Sequence, residues 1–267
     1  MRKPEPKADW PESWKTSYHY DLEEVFGPIG CRGYAYAYAN RRKQTLDLVQ
    51  LAATPGARVL DIAAAQGNFS LAMAEMGYRV TWNDLRAELA DYVKLKWEHG
   101  SIEYAAGNAF ELNLAPPFDV VLITEIIEHV AHPDEFLCKV GKLVKPGGHV
   151  VMTTPNGGYF LNPLPKFSEC ADPSRFEAVQ FKPNSDGHIF LLHEDEIPTL
   201  AAKAGLEVEK IKISTNFLTN GHLKTEAALK LLPRGSVEAI ERITSAFPGP
   251  LRQRLHTSMA VLFKRPA

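Results

Sequence analysis

The middle of the chain alternates between short apolar segments and segments with helical spacing, and this alternation constrains the fold more than any other feature. Apolar runs typical of strands occur at 57–63, 78–84, 102–108, 118–124 and 149–154. Between them lie predicted helices at 68–77, 85–100 and 134–144, the last of which should end at the Pro-Gly-Gly of 146–148. Because parallel strands need a crossover connection, usually a helix, this order predicts an α/β fold with a doubly wound, mostly parallel sheet.

The last third of the chain continues the pattern less regularly. A helix is predicted at 193–205, and strands at 206–214 and 258–265 bring the sheet to seven strands. Residues 216–250 are interpreted as a helical C-terminal insertion, interrupted at the Pro-Arg-Gly of 233–235.

Two segments lack periodicity. Residues 1–33, rich in proline, glycine and aromatic residues, are interpreted as an N-terminal helical arm that is either loosely ordered or packed over a site. The main domain is assigned to residues 34–267 and opens with a predicted helix at 34–53. Residues 155–187 have little periodicity and many Pro, Asn, Gly and aromatic residues, so we expect a lid or substrate loop there.

Charge and cysteine content narrow the function classes. The formal net charge is -2, which gives no electrostatic reason to expect nucleic acid as a partner. No apolar run reaches the roughly 18 residues of a membrane span, and the N-terminus does not resemble a signal peptide. Cys31, Cys138 and Cys170 are odd in number and widely spaced, which supports neither a disulfide framework nor a zinc knuckle. We therefore expect a cytoplasmic protein; its oligomeric state stays open.

Polar side chains follow four successive predicted strands. Asp61 is followed by the small-residue loop IAAAQGN, where backbone amides can approach a ligand closely. Asp84 is placed to accept hydrogen bonds from ribose hydroxyls, Asn108 to contact an adenine edge, and Glu125 follows the fourth strand. A lone aspartate after a strand often serves only as a turn or helix-cap residue. Four such groups at one edge of a sheet favour a ligand site.

These segments resemble a known family. VLDIAAAQGNFSLAMAEMG, VTWNDL, GNAFEL and FDVVLITEIIEHVAHPDEFLCKVGKLVKPGGHVVMTTPN resemble the successive motifs of class I S-adenosylmethionine-dependent methyltransferases. The last block is the most specific, because its EHV, DP, FL, KPGG and TPN elements occur in the family's order. The likeness covers roughly residues 40–215. It implies a Rossmann-like methyltransferase fold and S-adenosylmethionine as the cofactor.

The resemblance also implies roles at the cofactor end. Asp61 and the loop after it would hold the methionine part, Asp84 the ribose, and Asn108 with Ala109 the adenine. Two departures from the family are visible: an acidic residue is usual at position 108, and glycines are favoured at positions 63 and 65, where alanine would narrow the cleft or weaken the cofactor affinity. The predicted cofactor-binding residues are Asp61, Ala63, Ala64, Ala65, Gly67, Asn68, Asp84, Leu85, Asn108, Ala109 and Glu125.

A second group of residues lies where the methyl group would react. Glu125, Glu128 and His129 are spaced to share one face of a helical turn, and His188 follows the long loop. Two carboxylates and two imidazoles are suitable ligands for a divalent metal such as Mg, Mn, Fe, Co or Zn. The imidazoles favour Mn, Fe, Co or Zn over Mg. The ExxEH run resembles that of the metal-dependent ubiquinone-biosynthesis O-methyltransferases and small-RNA 2′-O-methyltransferases. A purely structural role and a metal-free role, with His129 or His188 as the catalytic base, remain alternatives.

The acceptor is predicted to be a small-molecule hydroxyl of aromatic, sugar or lipid-like character. Residues 155–187 and six aromatic side chains would wall its pocket, namely Trp10, Trp14, Tyr18, Tyr34, Tyr36 and Tyr38. The alternatives are an RNA 2′-O-methyltransferase, an N- or C-methyltransferase, and a non-catalytic cofactor-binding subunit without an acceptor cavity. A nicotinamide oxidoreductase is disfavoured, because AAAQGN does not supply GxGxxG.

Overall fold

A computed structural model describes residues 1–27, 32–114, 117–180, 187–221 and 225–267. The strands are β1 (Arg58–Ile62), β2 (Arg79–Asp84), β3 (Ser101–Ala106), β4 (Phe118–Thr124), β5 (Val144–Pro155), β6 (Glu207–Asn216) and β7 (His256–Lys264). The α-helices are α1 (Glu12–Glu24), α2 (Arg32–Ala52), α3 (Asn68–Glu75), α4 (Leu89–Lys96), α5 (Pro133–Leu143), α6 (Ile197–Lys203), α7 (Glu226–Leu231), α8 (Arg234–Ser245) and α9 (Gly249–Leu255).

The seven strands form one sheet in the order β3-β2-β1-β4-β5-β7-β6. β1 to β5 pair in parallel, whereas β7 is antiparallel to both of its neighbours. The predicted mostly parallel, seven-stranded α/β fold is therefore confirmed. The strand order reverses between β2-β1 and β1-β4, which is where doubly wound sheets bind ligands.

Both faces of the central strands are covered, as their continuous apolar runs predict. Val121 and Val150 pack on one face with residues of α5 and α6, and Val120 and Val151 pack on the other with residues of α2 and α3. All four valines are fully buried. Burying valine or leucine side chains of this kind contributes about 1.5–3 kcal/mol each.

Two predicted helices differ from the observed ones. The segment 85–100 is helical only from Leu89 to Lys96, since Trp97 adopts an extended conformation. The helix predicted at 134–144 is observed at Pro133–Leu143, and β5 begins with the next residue, so the Pro-Gly-Gly of 146–148 lies within the strand. Val144 pairs with Phe118 of β4, and the register shifts before Val120 pairs with His149. A Cβ at Gly148 would lie 2.8 Å from the Asp119 carbonyl oxygen, so the glycine permits close strand pairing rather than stopping a helix.

The N-terminal segment contains a helix, α1, that packs on α2 and α4. Trp14 and Tyr18 of this helix form a cluster of edge-on and tilted ring contacts with Trp10 and with Tyr92 of α4. The division of the chain at residue 33 stays a prediction.

Residues 155–180 contain short 3₁₀ turns at 167–169 and 173–176, and α7 and α8 are separated near Pro233. Among the described residues, no helix has the length and apolarity needed to cross a bilayer.

Candidate functional site

A cleft of about 1010 Å³ opens at the carboxyl ends of β1, β2, β3 and β4. Ten predicted site residues line it: Ala63, Ala64, Ala65, Asn68, Asp84, Leu85, Asn108, Ala109, Glu125 and His129. Four others lie beneath or beside its wall without lining it: Asp61, Gly67, Glu128 and His188. The structure thus brings most of the predicted residues around one cavity.

The loop between β1 and α3 has an unusual backbone for its sequence. Ala63 and Ala65 have positive φ angles of 52° and 46°, and Gly67 has a φ of 72°. An L-residue in this region costs roughly 1–2 kcal/mol, because its Cβ approaches the following carbonyl oxygen, and glycine avoids that cost. The two alanines therefore occupy positions for which glycine is better suited, which gives a physical reason for the family's preference there.

Asp61 lies beneath this loop with 1% of its surface exposed. Ser70 Oγ donates a hydrogen bond of 2.6 Å to its Oδ2, while its Oδ1 is buried and has no hydrogen-bond partner in the part of the chain described. Burial, with a smaller contribution from nearby Asp84, raises the pKa of Asp61 to about 7. Because Asp61 does not line the cleft, its contact with the cofactor stays a prediction.

Asp84 joins the loop to the end of β2. Its Oδ2 accepts a hydrogen bond of 2.9 Å from the Ala65 amide, and Arg86 donates to both carboxylate oxygens from Nε and Nη2, at 2.9 and 3.1 Å.

The side chain of Asn108, by contrast, forms hydrogen bonds within its own turn. It accepts from the Phe110 amide and donates to Glu111 Oε1 at 2.8 Å. A role for the Asn108 side chain toward adenine stays a prediction, and it would require those local bonds to be exchanged.

Several cleft residues were not predicted from the sequence: Glu24 of α1, Arg41 of α2, and Gln66 and Arg86. Arg41 Nη1 donates to Glu125 Oε2 at 2.9 Å, and its guanidinium lies over the Tyr38 ring at 5.3 Å. Tyr38 and Arg41 are three residues apart on one helix, a spacing that could have indicated a shared face. Of the six aromatic residues expected to wall the acceptor pocket, Tyr38 lines the cleft. Trp10 and Trp14 instead pack against Tyr92, and Tyr18 packs against Trp10.

Glu125 differs from the expectation of a shared helical turn. Its φ is 53°, and the 3₁₀ turn that follows β4 covers only Ile127–His129. Glu125 therefore precedes the turn, and its carboxylate pairs with Arg41.

Glu128, His129 and His188 form a compact group, with one ligand atom of each residue within 4.8 Å of the others. The Ile189 amide donates to the Glu128 carbonyl oxygen at 2.7 Å, and this contact holds His188 beside the turn. Glu128 is buried; Thr154 Oγ1 donates to its Oε2 at 3.1 Å. Burial and nearby Glu125 raise the pKa of Glu128 well above its ordinary value. One carboxylate and two imidazoles form a donor set suited to a divalent metal.

The fold and the cleft define the class of protein, and the family comparison agrees. A family model described as a methyltransferase domain matches residues 36–211. The chain belongs to this family of S-adenosylmethionine-dependent methyltransferases.

Individual relatives narrow the comparison. The chain is 31% identical to the ubiquinone biosynthesis O-methyltransferase of Xanthomonas campestris pv. campestris, over 55% of this chain and 65% of that protein. It is 40% identical to the protein of the same name from Caulobacter vibrioides, over 56% of this chain and 59% of the relative. The chain thus spans somewhat less than two thirds of the length of these curated relatives.

Solved structures agree on the fold. The N-methyltransferase NodS from Bradyrhizobium japonicum, in complex with S-adenosylhomocysteine, has a TM-score of 0.53 at 13% identity, and the match covers 96% of this chain and all of that one (100%). Phosphoethanolamine N-methyltransferase 2 from Haemonchus contortus has a TM-score of 0.55 at 19% identity, over 95% of this chain and 58% of that one. At these identities the likeness shows the fold alone.

Proposed function

We propose that this chain transfers the methyl group of S-adenosylmethionine to a hydroxyl of a small molecule, with a divalent cation held by Glu128, His129 and His188. The observation that carries the proposal is the convergence of these three ligand groups beside a cleft that contains the predicted cofactor residues. Glu125, the fourth ligand predicted from the sequence, pairs with Arg41 instead, so the proposed ligand set has three members.

An oxygen nucleophile fits the site chemistry. The relatives at 31% and 40% identity carry the name O-methyltransferase, which favours a hydroxyl over an amine. The cleft extends past Glu125 to His129, Phe136 and Gln180, which leaves open space for an acceptor beside the ligand group. A non-catalytic subunit would have no such space. The excess of carboxylates among the charged side chains of the cleft disfavours an RNA phosphate backbone.

The residues of this chain perform three tasks in such a reaction. The loop after β1 and Asp84 would hold the cofactor, which would supply an electrophilic methyl group. Glu128, His129 and His188 would hold the cation, whose charge would favour ionisation of the acceptor hydroxyl. Arg41 holds Glu125 against the end of β4, so this carboxylate stays at the cleft wall. Alignment of the two reactants contributes several kcal/mol, up to roughly 7–11 in favourable cases.

The experiment combines product identification with metal removal. Purified protein is incubated with S-adenosylmethionine carrying a labelled methyl group and with panels of phenols, sugars and amines. We expect mass spectrometry to find the label as a methyl ether, and EDTA to abolish turnover until Mn²⁺, Fe²⁺, Co²⁺ or Zn²⁺ is restored.

Three variants test the ligand set. Glu128→Gln and His188→Ala should lose bound metal, measured by plasma mass spectrometry, together with turnover. His149→Ala is the control, because His149 does not line the cleft and its imidazole pairs with Glu209 on the neighbouring part of the sheet. A labelled amine as the product would refute the hydroxyl assignment. Turnover of His188→Ala that is equal with and without chelator would refute the metal assignment and leave His129 as the candidate base.

A further inference from the structure

The charges around the cleft do not balance. Four carboxylates line it, from Glu24, Asp84, Glu125 and Glu135, and three cationic side chains, from Arg41, Arg86 and Lys139. Asp84 is paired with Arg86, and Glu125 with Arg41. Glu135 and Lys139 are one turn apart on α5, where opposite charges attract. Among the described residues Glu24 forms no ion pair, and the cation that acts on it, Arg41, is already bonded to Glu125.

Glu24 is held rigidly at the cleft wall by neutral donors. Tyr34 Oη donates to its Oε1 at 2.6 Å, and Gln66 Nε2 and Asn68 Nδ2 both donate to its Oε2 at 3.0 Å. A carboxylate has about four acceptor positions, so one remains on Oε1. Because Gln66 and Asn68 flank the end of the β1–α3 loop, Glu24 lies at the part of the cleft where that loop would hold the methionine end of the cofactor.

A buried network fixes the helix that carries Glu24. One turn earlier on α1, Asp21 accepts hydrogen bonds from Lys96 Nζ, Tyr92 Oη and Asn68 Nδ2, each at 2.7 Å. Asn68 therefore bonds both Asp21 and Glu24. Neither Asp21 nor Glu24 falls within residues 36–211, the part of the chain that the family model matches.

We propose that Glu24 binds the α-ammonium group of the cofactor's methionine part, so that the N-terminal helix supplies a cofactor ligand from outside the matched domain. S-adenosylmethionine carries a sulfonium, an ammonium and a carboxylate, one positive charge in excess, which complements the cleft's single excess negative charge. An ammonium donates up to three hydrogen bonds, and the remaining acceptor position of Glu24 can take one. Burial raises the pKa of Glu24, as expected of a carboxylate whose cationic partner is the ligand.

Calorimetric titration with three probes tests this assignment without an acceptor or a metal. The probes are S-adenosylhomocysteine, its deaminated analogue, which keeps the carboxylate, and 5′-methylthioadenosine, which lacks both groups. Glu24→Gln should weaken S-adenosylhomocysteine binding by roughly 10- to 100-fold, the range for a hydrogen bond to a charged group. The affinities for the other two probes should change less than about two-fold, within the scatter expected of a neutral substitution.

The comparison of probes separates loss of a contact from loss of structure. An equal loss for all three probes would mean that α1 has moved, and unchanged S-adenosylhomocysteine affinity would mean that Glu24 makes no contact; either result overturns the proposal. Glu12→Gln is the matched control, because Glu12 lies on the same helix with 86% of its side chain exposed. Since only binding is measured, failure of the proposed hydroxyl methylation would leave this result intact.

Discussion

Lys96 and Asp21 form an ion pair from which solvent is fully excluded: both side chains are 0% exposed, and Nζ lies 2.7 Å from Oδ2. The pair joins α4 to α1, and hydrogen bonds from Tyr92 and Asn68 complete the coordination of the Asp21 carboxylate. Burial lowers the pKa of Lys96, and Asp21 opposes that effect by stabilising the ammonium. The N-terminal helix is therefore joined to the domain by a buried ion pair and two further hydrogen bonds to the same carboxylate.

Lys96→Met should destabilise the protein by roughly 3–5 kcal/mol, because it leaves the Asp21 charge buried without its cation. Urea unfolding followed by circular dichroism measures the change. Lys94→Met is the matched control on the same helix: its ion pair with Asp91 has the same 2.7 Å separation, but the two side chains are 55% and 67% exposed. Exposed pairs of this kind contribute about 0–1 kcal/mol. Similar losses for the two variants would contradict the prediction.

Ala63→Gly and Ala65→Gly should each stabilise the protein by about 0.5–1 kcal/mol. Relief of the left-handed backbone strain, roughly 1–2 kcal/mol, exceeds the added entropy of a glycine in the unfolded chain. Ala64→Gly is the control between them; its φ is not positive, so only the entropy term applies and we expect destabilisation by about 0.4–1 kcal/mol. Urea unfolding measures the change in the free energy of unfolding, which should be positive for Ala63→Gly and Ala65→Gly and negative for Ala64→Gly. The same sign for all three variants would show that backbone strain is not the cause.

Asp61 should make the stability of the cofactor-free protein fall as pH rises from about 4 to about 7. Its pKa is raised from 3.8 to about 7 by burial, so in this window the unfolded chain has lost a proton that the folded protein keeps. The stabilisation is complete below pH 4 and is lost as pH rises through the folded-state value. Asp61→Asn, which imitates the protonated form, removes this dependence. Urea unfolding of both proteins at pH 5 and pH 8 measures this pH dependence. An equal change in the free energy of unfolding for the two proteins would contradict the prediction.

Asp84→Ala should weaken binding of S-adenosylhomocysteine and of 5′-methylthioadenosine alike, by about 10-fold or more, because both ligands carry the ribose that Asp84 is predicted to bind. This pattern differs from the one expected for Glu24. Arg86→Ala is the control: it removes the guanidinium that occupies both carboxylate oxygens but leaves the carboxylate in place. We expect this control to bind both ligands at least as tightly as the unmodified protein. Calorimetry that finds 5′-methylthioadenosine binding insensitive to Asp84→Ala would exclude the ribose role.

Local sequence patterns predicted the elements of the sheet but not its order. The runs at 118–124 and 149–154 are apolar on both faces, so their burial as central strands follows from composition alone. The insertion of β7 between β5 and β6 depends on pairing between distant segments, which a local period does not encode. Helix ends were predicted unevenly: α5 ends at Leu143, one residue before the predicted end, whereas α4 covers only Leu89–Lys96 of the predicted 85–100.

Local sequence patterns likewise predicted some residues of the candidate site and not others. Residues that follow strands, such as Ala64 and Asp84, were found because parallel strand ends meet at one edge. Glu24 and Arg41 were missed because they belong to helices that reach the cleft only through tertiary packing. The left-handed backbone of Glu125 places it before the 3₁₀ turn that contains Glu128, although their spacing of three suggests one shared helical turn. Spacing predicts a common face only where the backbone is regular.

The place of β7 also bears on how the chain acquires its structure during synthesis. β5 and β6 do not pair with each other, and each has β7 as its neighbour on one side. Residues 217–255 must leave the ribosome before that strand does. Until then, one edge of β5 presents unpaired backbone groups to other nascent chains, and such edges promote aggregation. Release of β7 is therefore the step that protects the newly made sheet.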